Sequence, residues 1–107
     1  FDYYTKTVEE LNYKTNSHKG EVYIFGAHIF SQFLLAFGLE STQIHSVLDN
    51  NVNKIGKRLY GTKLKVDSPS VLKKATHPMV ILKAGHYNDE IKNDILTHIN
   101  DDVIFAE

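Results

Sequence analysis

Three short stretches carry the residue types that bind ligands or move protons: Gly26-Ala27-His28, Asp49-Asn50-Asn51 and Gly85-His86-Tyr87, each directly after an apolar run. A glycine where a strand turns into a helix lets backbone approach a phosphate, while the free amides and dipole of the helix N-terminus favour its charge. The same glycine can serve a tight turn and nothing more. The three-glycine dinucleotide fingerprint is incomplete, because His28 and Ser31 stand where its later glycines would fall. Asp49 comes about one strand-helix-strand unit after Gly26, where a carboxylate can accept hydrogen bonds from ribose hydroxyls. Asp and Asn also belong in ordinary turns, so a ribose role for Asp49 and Asn50 stands beside a turn role. His28, His86 and Tyr87 bring imidazoles that titrate near neutral pH and a flat phenol ring, suited to stacking on a base or shuttling protons.

The candidate substrate-binding set is therefore Gly26, Ala27, His28, Asp49, Asn50, Gly85, His86 and Tyr87. No catalytic residue and no metal ligand joins it, because the six histidines form no tight ligand motif and Asp49 and Asp89 show no recognisable ligand spacing. His18, His45, His77 and His98 read as surface or helix-end residues. Lys54, Lys57 and Arg58 form a small basic group beside Asp49 that either meets phosphate or a neighbouring domain, or is simply solvated. No Gly-x-Ser-x-Gly elbow, P-loop, Cys-His pair or zinc-binding helix motif supports hydrolysis or phosphoryl transfer.

The elements that must position these residues follow from periodicity. Residues 2–16 lack Gly and Pro and set Tyr4, Val8 and Leu11 on one stripe, which predicts an amphipathic leader helix. Residues 21–26 read as a buried strand, and 27–37 as a helix with a wide apolar face that stops at Gly38. A short strand at 44–48 delivers Asp49 at its tip. Residues 53–61 read as an irregular excursion, and 63–66 as a brief strand. Ser68-Pro69 announces a short helix to about Lys74, since Ser caps free amides and Pro is tolerated at the first helical position. The near-continuous apolar run 78–84 predicts a strand buried on both faces, broken by Gly85. Ile91, Ile95 and Ile99 recur every four residues in a helix over 88–99, and 103–106 closes as an edge strand. Strands alternating with helices across short loops imply a Rossmann-like three-layer α/β/α domain with a mainly parallel five-stranded sheet in the order 3-2-1-4-5. Residues 1–19 are the leader helix and its connection, and 20–107 the α/β core. In such a sheet ligands bind beyond the carboxyl ends of the strands where the order reverses.

Bulk properties narrow the class. At 107 residues and 42% hydrophobic content the chain builds one modest core as a single domain. The absence of cysteine removes disulfides and cysteine-ligated metal sites, and makes a cytoplasmic location the default expectation. Twelve basic against thirteen acidic residues give a net charge of −1, which argues against nucleic acid as a partner. No apolar run approaches the ~20 residues of a membrane span. Phe1 in place of an initiator methionine is read as excision from a longer protein.

The ordered set Val22-Tyr23-Ile24-Phe25-Gly26-Ala27, Val47-Leu48-Asp49-Asn50-Asn51 with Lys54 and Gly56-Lys57, then Gly61, Val66, Ser68-Pro69, Val80-Ile81-Leu82, Ala84 and Tyr87-Asn88-Asp89-Glu90-Ile91 resembles the C-terminal domain of SAM-dependent C-methyltransferases that act on nucleotide-linked sugars. The resemblance covers nearly everything beyond the leader helix. It implies that methyl transfer belongs to an upstream domain that binds S-adenosylmethionine, and that this domain helps enclose a nucleotide-sugar and packs on that neighbour. It carries over Gly26, Ala27, Asp49 and the Gly85-His86-Tyr87 turn as crevice residues, and expects no cofactor on this domain. A nucleotide-binding Rossmann domain of the NAD(P) or CoA type, and a ligand-free interaction module, remain alternatives.

Overall fold

The computed structural model describes residues 2–26, 34–36, 38–59, 62–82 and 85–107. The leader segment is a helix, α1 (Asp2–Ser17), one residue longer than its apolar stripe predicts. Val8, Leu11 and Thr15 turn one face inward, and Lys14 in the last turn suits the negative end of the helix dipole. Tyr4, expected on that stripe, lies outside the described side chains. Asn12, on the same helix, ties a distant loop to it: its amide donates to the Gly38 carbonyl at 3.0 Å and its Oδ1 accepts from the Glu40 amide at 2.9 Å.

Four-residue apolar runs become the central strands. β1 (Val22–Phe25) lies between β2 (Ser46–Leu48) and β4 (Met79–Leu82), with β3 (Val66–Asp67) and β5 (Ile104–Ala106) at the edges. All four pairings are parallel and the order is β3-β2-β1-β4-β5, as the alternation of elements predicts. Strand side chains alternate between faces. Val22, Ile24, Val47, Val66, Met79, Ile81 and Ala106 therefore feed one core with Val8 and Leu11 of α1 and Leu34. Tyr23, Phe25, Leu48, Val80 and Leu82 feed the other. Each fully buried aliphatic side chain contributes roughly 1.5–3 kcal/mol relative to exposure. The expected helix over 27–37 is described only at residues 34–36, which are helical. β3 begins three residues later than expected, because Val66 pairs with Val47 while Lys65 turns back to bridge Arg58.

The second face is covered by a one-sided pair of elements. Ser68 caps a 3₁₀ segment (Pro69–Lys74) by accepting from the Ser70 amide at 3.3 Å, and this segment buries Leu72. At ~2 Å per residue those six residues span only ~12 Å. The longer cover is α2 (Asn88–His98), which buries Ile95 and packs Ile91 and the following Ile99 against the sheet. No helix among the described residues is long and apolar enough to cross a membrane.

The loops at the N-terminal ends of the strands are knitted together. His18 Nε2 donates to the His77 carbonyl at 2.8 Å, and the His77 ring meets Asp102 at 2.8 Å. His77 sits at φ 47°, a left-handed conformation rare outside glycine. Gly20 passes so close that a Cβ there would lie 2.8 Å from the His77 carbonyl and 2.9 Å from His18 Nε2. Asn100 completes this end: its amide donates to the Leu72 and Ala75 carbonyls at 2.7 and 2.9 Å, and its Oδ1 accepts from the Asp102 amide.

Replacing Asn100 tests that staple. Asn100→Ala strands two carbonyls and is expected to lower the unfolding free energy by about 1–3 kcal/mol in urea denaturation. Asn100→Asp keeps the acceptor for Asp102 but sets a carboxylate against the two carbonyls, so it is expected to cost at least as much. An Asp variant as stable as the parent would contradict the assigned bonds.

Candidate binding groove

The carboxyl ends of β1 and β2 hold the candidate residues. Phe25 ends β1 on the second core face, and Gly26 follows at φ 104° with its amide donating to the Leu48 carbonyl at 2.7 Å. That conformation is open to glycine and strained for other residues. Gly26 is thus placed to turn the chain beyond the tip of β1. Ala27 and His28, the other two residues expected here, lie outside the described residues.

Asp49 and Asn50 extend the tip of β2. Asp49 is half-buried, its amide donates to the Asp67 carbonyl at 3.1 Å, and its Oδ1 accepts from the Asn51 amide at 2.8 Å. Asn51 repeats the motif by accepting from the Asn53 amide at 2.9 Å. The turn role open to these residue types is therefore in use, and it fixes the direction of the Asp49 carboxylate.

Gly85–Tyr87 forms one 3₁₀ turn leading into α2. Tyr87 is 63% exposed and lines the same groove as Asp49 and Asn50, whereas exposed His86 does not line it. The start of α2 is held by Asn88, whose amide donates to the Leu82 carbonyl at 3.3 Å and to Glu107 at 3.2 Å. Lys92 binds the other Glu107 oxygen at 2.8 Å and lies 5.9 Å from the centroid of the Phe105 ring. The Glu107 hydrogen bond holds the Lys92 ammonium above its usual range. The β4-to-β5 region thereby fixes α2 against the sheet.

What results is a groove of about 570 Å³ between the β2 tip and α2. Phe25 and Ile91 are its apolar residues, Asn50 lines it from the β2 side, and Tyr87, Thr97 and His98 line it from α2 and the turn before it. Glu90, Asn93 and Asp94 complete the α2 side. Asp49, Glu90 and Asp94 bring three carboxylates, and among the described residues neither lysine nor arginine lines it. Such a lining accepts hydrogen bonds from hydroxyl or amino groups and repels phosphate. Of the residues expected to bind substrate, Asp49, Asn50 and Tyr87 line this groove, and its α2 face adds residues outside that expectation. The signal was the helical spacing of residues 87, 90, 91, 94 and 98, which places them on one side of α2. In sequence, Glu90 sits at a helix N-terminus, where negative charge is favoured in any case, and His98 reads as a surface or helix-end residue.

A larger depression of about 980 Å³ lies at the opposite, N-terminal ends of the strands, lined by His18, Lys19, Glu21, Lys74 and His77 among others. In open parallel sheets the carboxyl ends are the ligand side. The N-terminal end is instead dense in internal bonds: Tyr23 donates to Glu21 at 2.9 Å, and burial, then that bond, push its hydroxyl above the usual tyrosine range. His45 pairs with the same Glu21 at 3.5 Å. Among the described residues no three His, Asp or Glu side chains gather to hold a metal ion. Lys54, Lys57 and Arg58 lie on the excursion after Asn51 and do not line the groove.

A family model described as the C-methyltransferase C-terminal domain matches residues 3–105 of the chain. No curated protein matches it, and no solved structure matches it.

Gly26 offers a direct check of the β1 tip. Gly26→Ala forces a Cβ into φ 104° and is expected to cost about 1–3 kcal/mol, seen as a lower urea midpoint with an unchanged slope. An alanine variant of parental stability would show that this turn is not bound to the glycine conformation.

Proposed function

We propose that this chain, which belongs to the C-methyltransferase C-terminal domain family, holds a nucleotide-linked sugar in the groove between the β2 tip and α2 while a neighbouring domain performs the methyl transfer. The observation that carries the reading is the convergence of Asp49, Asn50 and Tyr87 on one groove at the carboxyl ends of the central strands. Asp49 and Asn50 present acceptors for ribose or sugar hydroxyls, and Tyr87 offers a flat face for a base or sugar ring. Phe25 and Ile91 give the groove an apolar component that favours a ring over a bare ion. S-adenosylmethionine supplies the methyl group on the neighbouring domain, and the residues of this chain bind and orient the acceptor.

Contact with that domain is part of the proposal. Val52, on the turn beyond the β2 tip, is 79% exposed and Tyr87 is 63% exposed. Two large side chains left open at the ligand end support a surface covered by the catalytic neighbour. The glycine turn at Gly26 and the carboxylate at Asp49 also favour a second reading, a dinucleotide binder of the NAD(P) type.

A chemical-shift titration with a nucleoside diphosphate-sugar, NAD and S-adenosylmethionine separates these readings. The sugar nucleotide is expected to shift Phe25, Gly26, Asp49, Asn50 and Tyr87. Asp49→Asn, which keeps the oxygen bonded to the Asn51 amide, is expected to weaken binding about tenfold by removing a charged acceptor. Shifts with NAD alone would move the assignment to a dinucleotide, and silence with all three ligands would remove independent binding by this chain.

A further inference from the structure

Charge is unevenly distributed along the chain. Residues 50–66 contain five basic residues, Lys54, Lys57, Arg58, Lys63 and Lys65, and no acidic one, while the rest holds seven basic and thirteen acidic residues. Residues 88–107, which form α2 and β5, hold one basic and six acidic residues. The sheet order sets β3, with the basic excursion that leads into it, at one edge and β5 at the other. The resulting field steers anions toward the β3 edge and away from the α2 side.

The excursion is anchored rather than trailing. Leu59 is buried and Leu64 half-buried against the first core. The Leu59 amide donates to the Leu64 carbonyl at 2.9 Å, the Val66 amide to Lys57 at 2.7 Å and the Gly56 amide to Val66 at 2.8 Å. On this scaffold Arg58 and Lys65 oppose each other in an antiparallel bridge. Directly opposed residues share a face, and like charges there repel. Lys57, Arg58, Lys63 and Lys65 are all exposed. None of the four has a carboxylate partner among the described residues. A like-charge pair held on one face of a bonded scaffold, without an internal counter-charge, is complementary to an external anion. A guanidinium fork beside ammonium groups suits phosphate oxygens in particular.

We propose that the face carrying Arg58 and Lys65, flanked by Lys57 and Lys63, docks a phosphate or diphosphate group of the ligand. The proposal rests on the reading of the groove as a sugar-nucleotide site and says where the phosphates go. The described carboxylates Asp49, Glu90 and Asp94 disfavour them in the groove itself, and the basic excursion leaves from Asn51, the residue after groove-lining Asn50.

Amide chemical shifts of the full 107-residue chain, titrated with inorganic pyrophosphate at low ionic strength and with sodium chloride at matched ionic strength, test it. Saturable shifts across residues 57–65 with pyrophosphate but not chloride are expected. They should weaken as salt rises, and the Arg58→Gln/Lys65→Gln double variant should bind about fivefold more weakly at an unchanged melting temperature. Absent shifts, equal shifts with chloride, or full affinity in the double variant would overturn the phosphate site. A nucleoside diphosphate-sugar in a parallel titration separates the two readings. Shifts in the excursion without shifts at Asp49 and Tyr87 keep the phosphate site and overturn the groove, and the reverse pattern overturns the phosphate site alone.

Discussion

The parallel pairing of β1 with both β2 and β4 is the constraint from which the rest of the architecture follows. A strand paired on both edges and buried on both faces makes a polar side chain without a partner costly. Val22 and Ile24 accordingly feed one core and Phe25 the other, while Tyr23, the one polar member, satisfies its hydroxyl on Glu21. Because the chain leaves β1 toward β2 on one side and returns to β4 on the other, the connections diverge at its carboxyl end. That divergence opens the space beyond Phe25 and Gly26, and α2, arriving after β4, forms one wall of it. The groove is thus a consequence of strand order before any side chain is chosen to line it.

The elements legible in the sequence were those determined by local chemistry. Continuous apolar runs marked β1 and β4, Ser68-Pro69 marked the cap and first turn of the 3₁₀ segment, and the isoleucine spacing marked α2. β3 was displaced because its location depends on a distant partner. Apolar alternation favours a strand around Leu64 and Val66, but Asp67 belongs to the strand through pairing with Leu48 and a bond from the Asp49 amide. The groove divides in the same way. Asp49, Asn50 and Tyr87 follow directly from the ends of elements, whereas Glu90, Asp94 and His98 join the site only because α2 is rotated to bury Ile95. Rotation is set by tertiary contacts, including Asn88 and Lys92 on Glu107, and no window of sequence contains them all.

Charge shows the same dependence on topology. Read locally, Lys54, Lys57 and Arg58 are a polar loop, and Asp89 and Glu90 are ordinary company for a helix N-terminus. The sheet order changes their meaning by gathering basic residues at the β3 edge and acidic residues along α2 and β5. A net charge of −1 hides this separation completely. Composition excluded a broad positive surface, but it did not address a local one, because an average over the chain carries no positional information.

Among the described residues, the N-terminal ends of the strands form a tightly bonded base. At the N-terminal ends, a left-handed His77 is held by His18 and Asp102, Gly20 fits beneath it without room for a methyl group, and Asn100 closes the carbonyls of the 3₁₀ segment. A strained residue persists only where its surroundings over-determine it, so this end is a rigid base. At the carboxyl ends the described contacts include the Asx turns, a 3₁₀ turn and the bonds of Asn88 and Lys92 to Glu107, while Val52 and Tyr87 stand exposed. An over-determined base at one end holds the strands whose other ends present acceptors and an aromatic face. A ligand or neighbouring domain that covers Val52 and Tyr87 would then gain contact area at large side chains that the rest of the described fold leaves open.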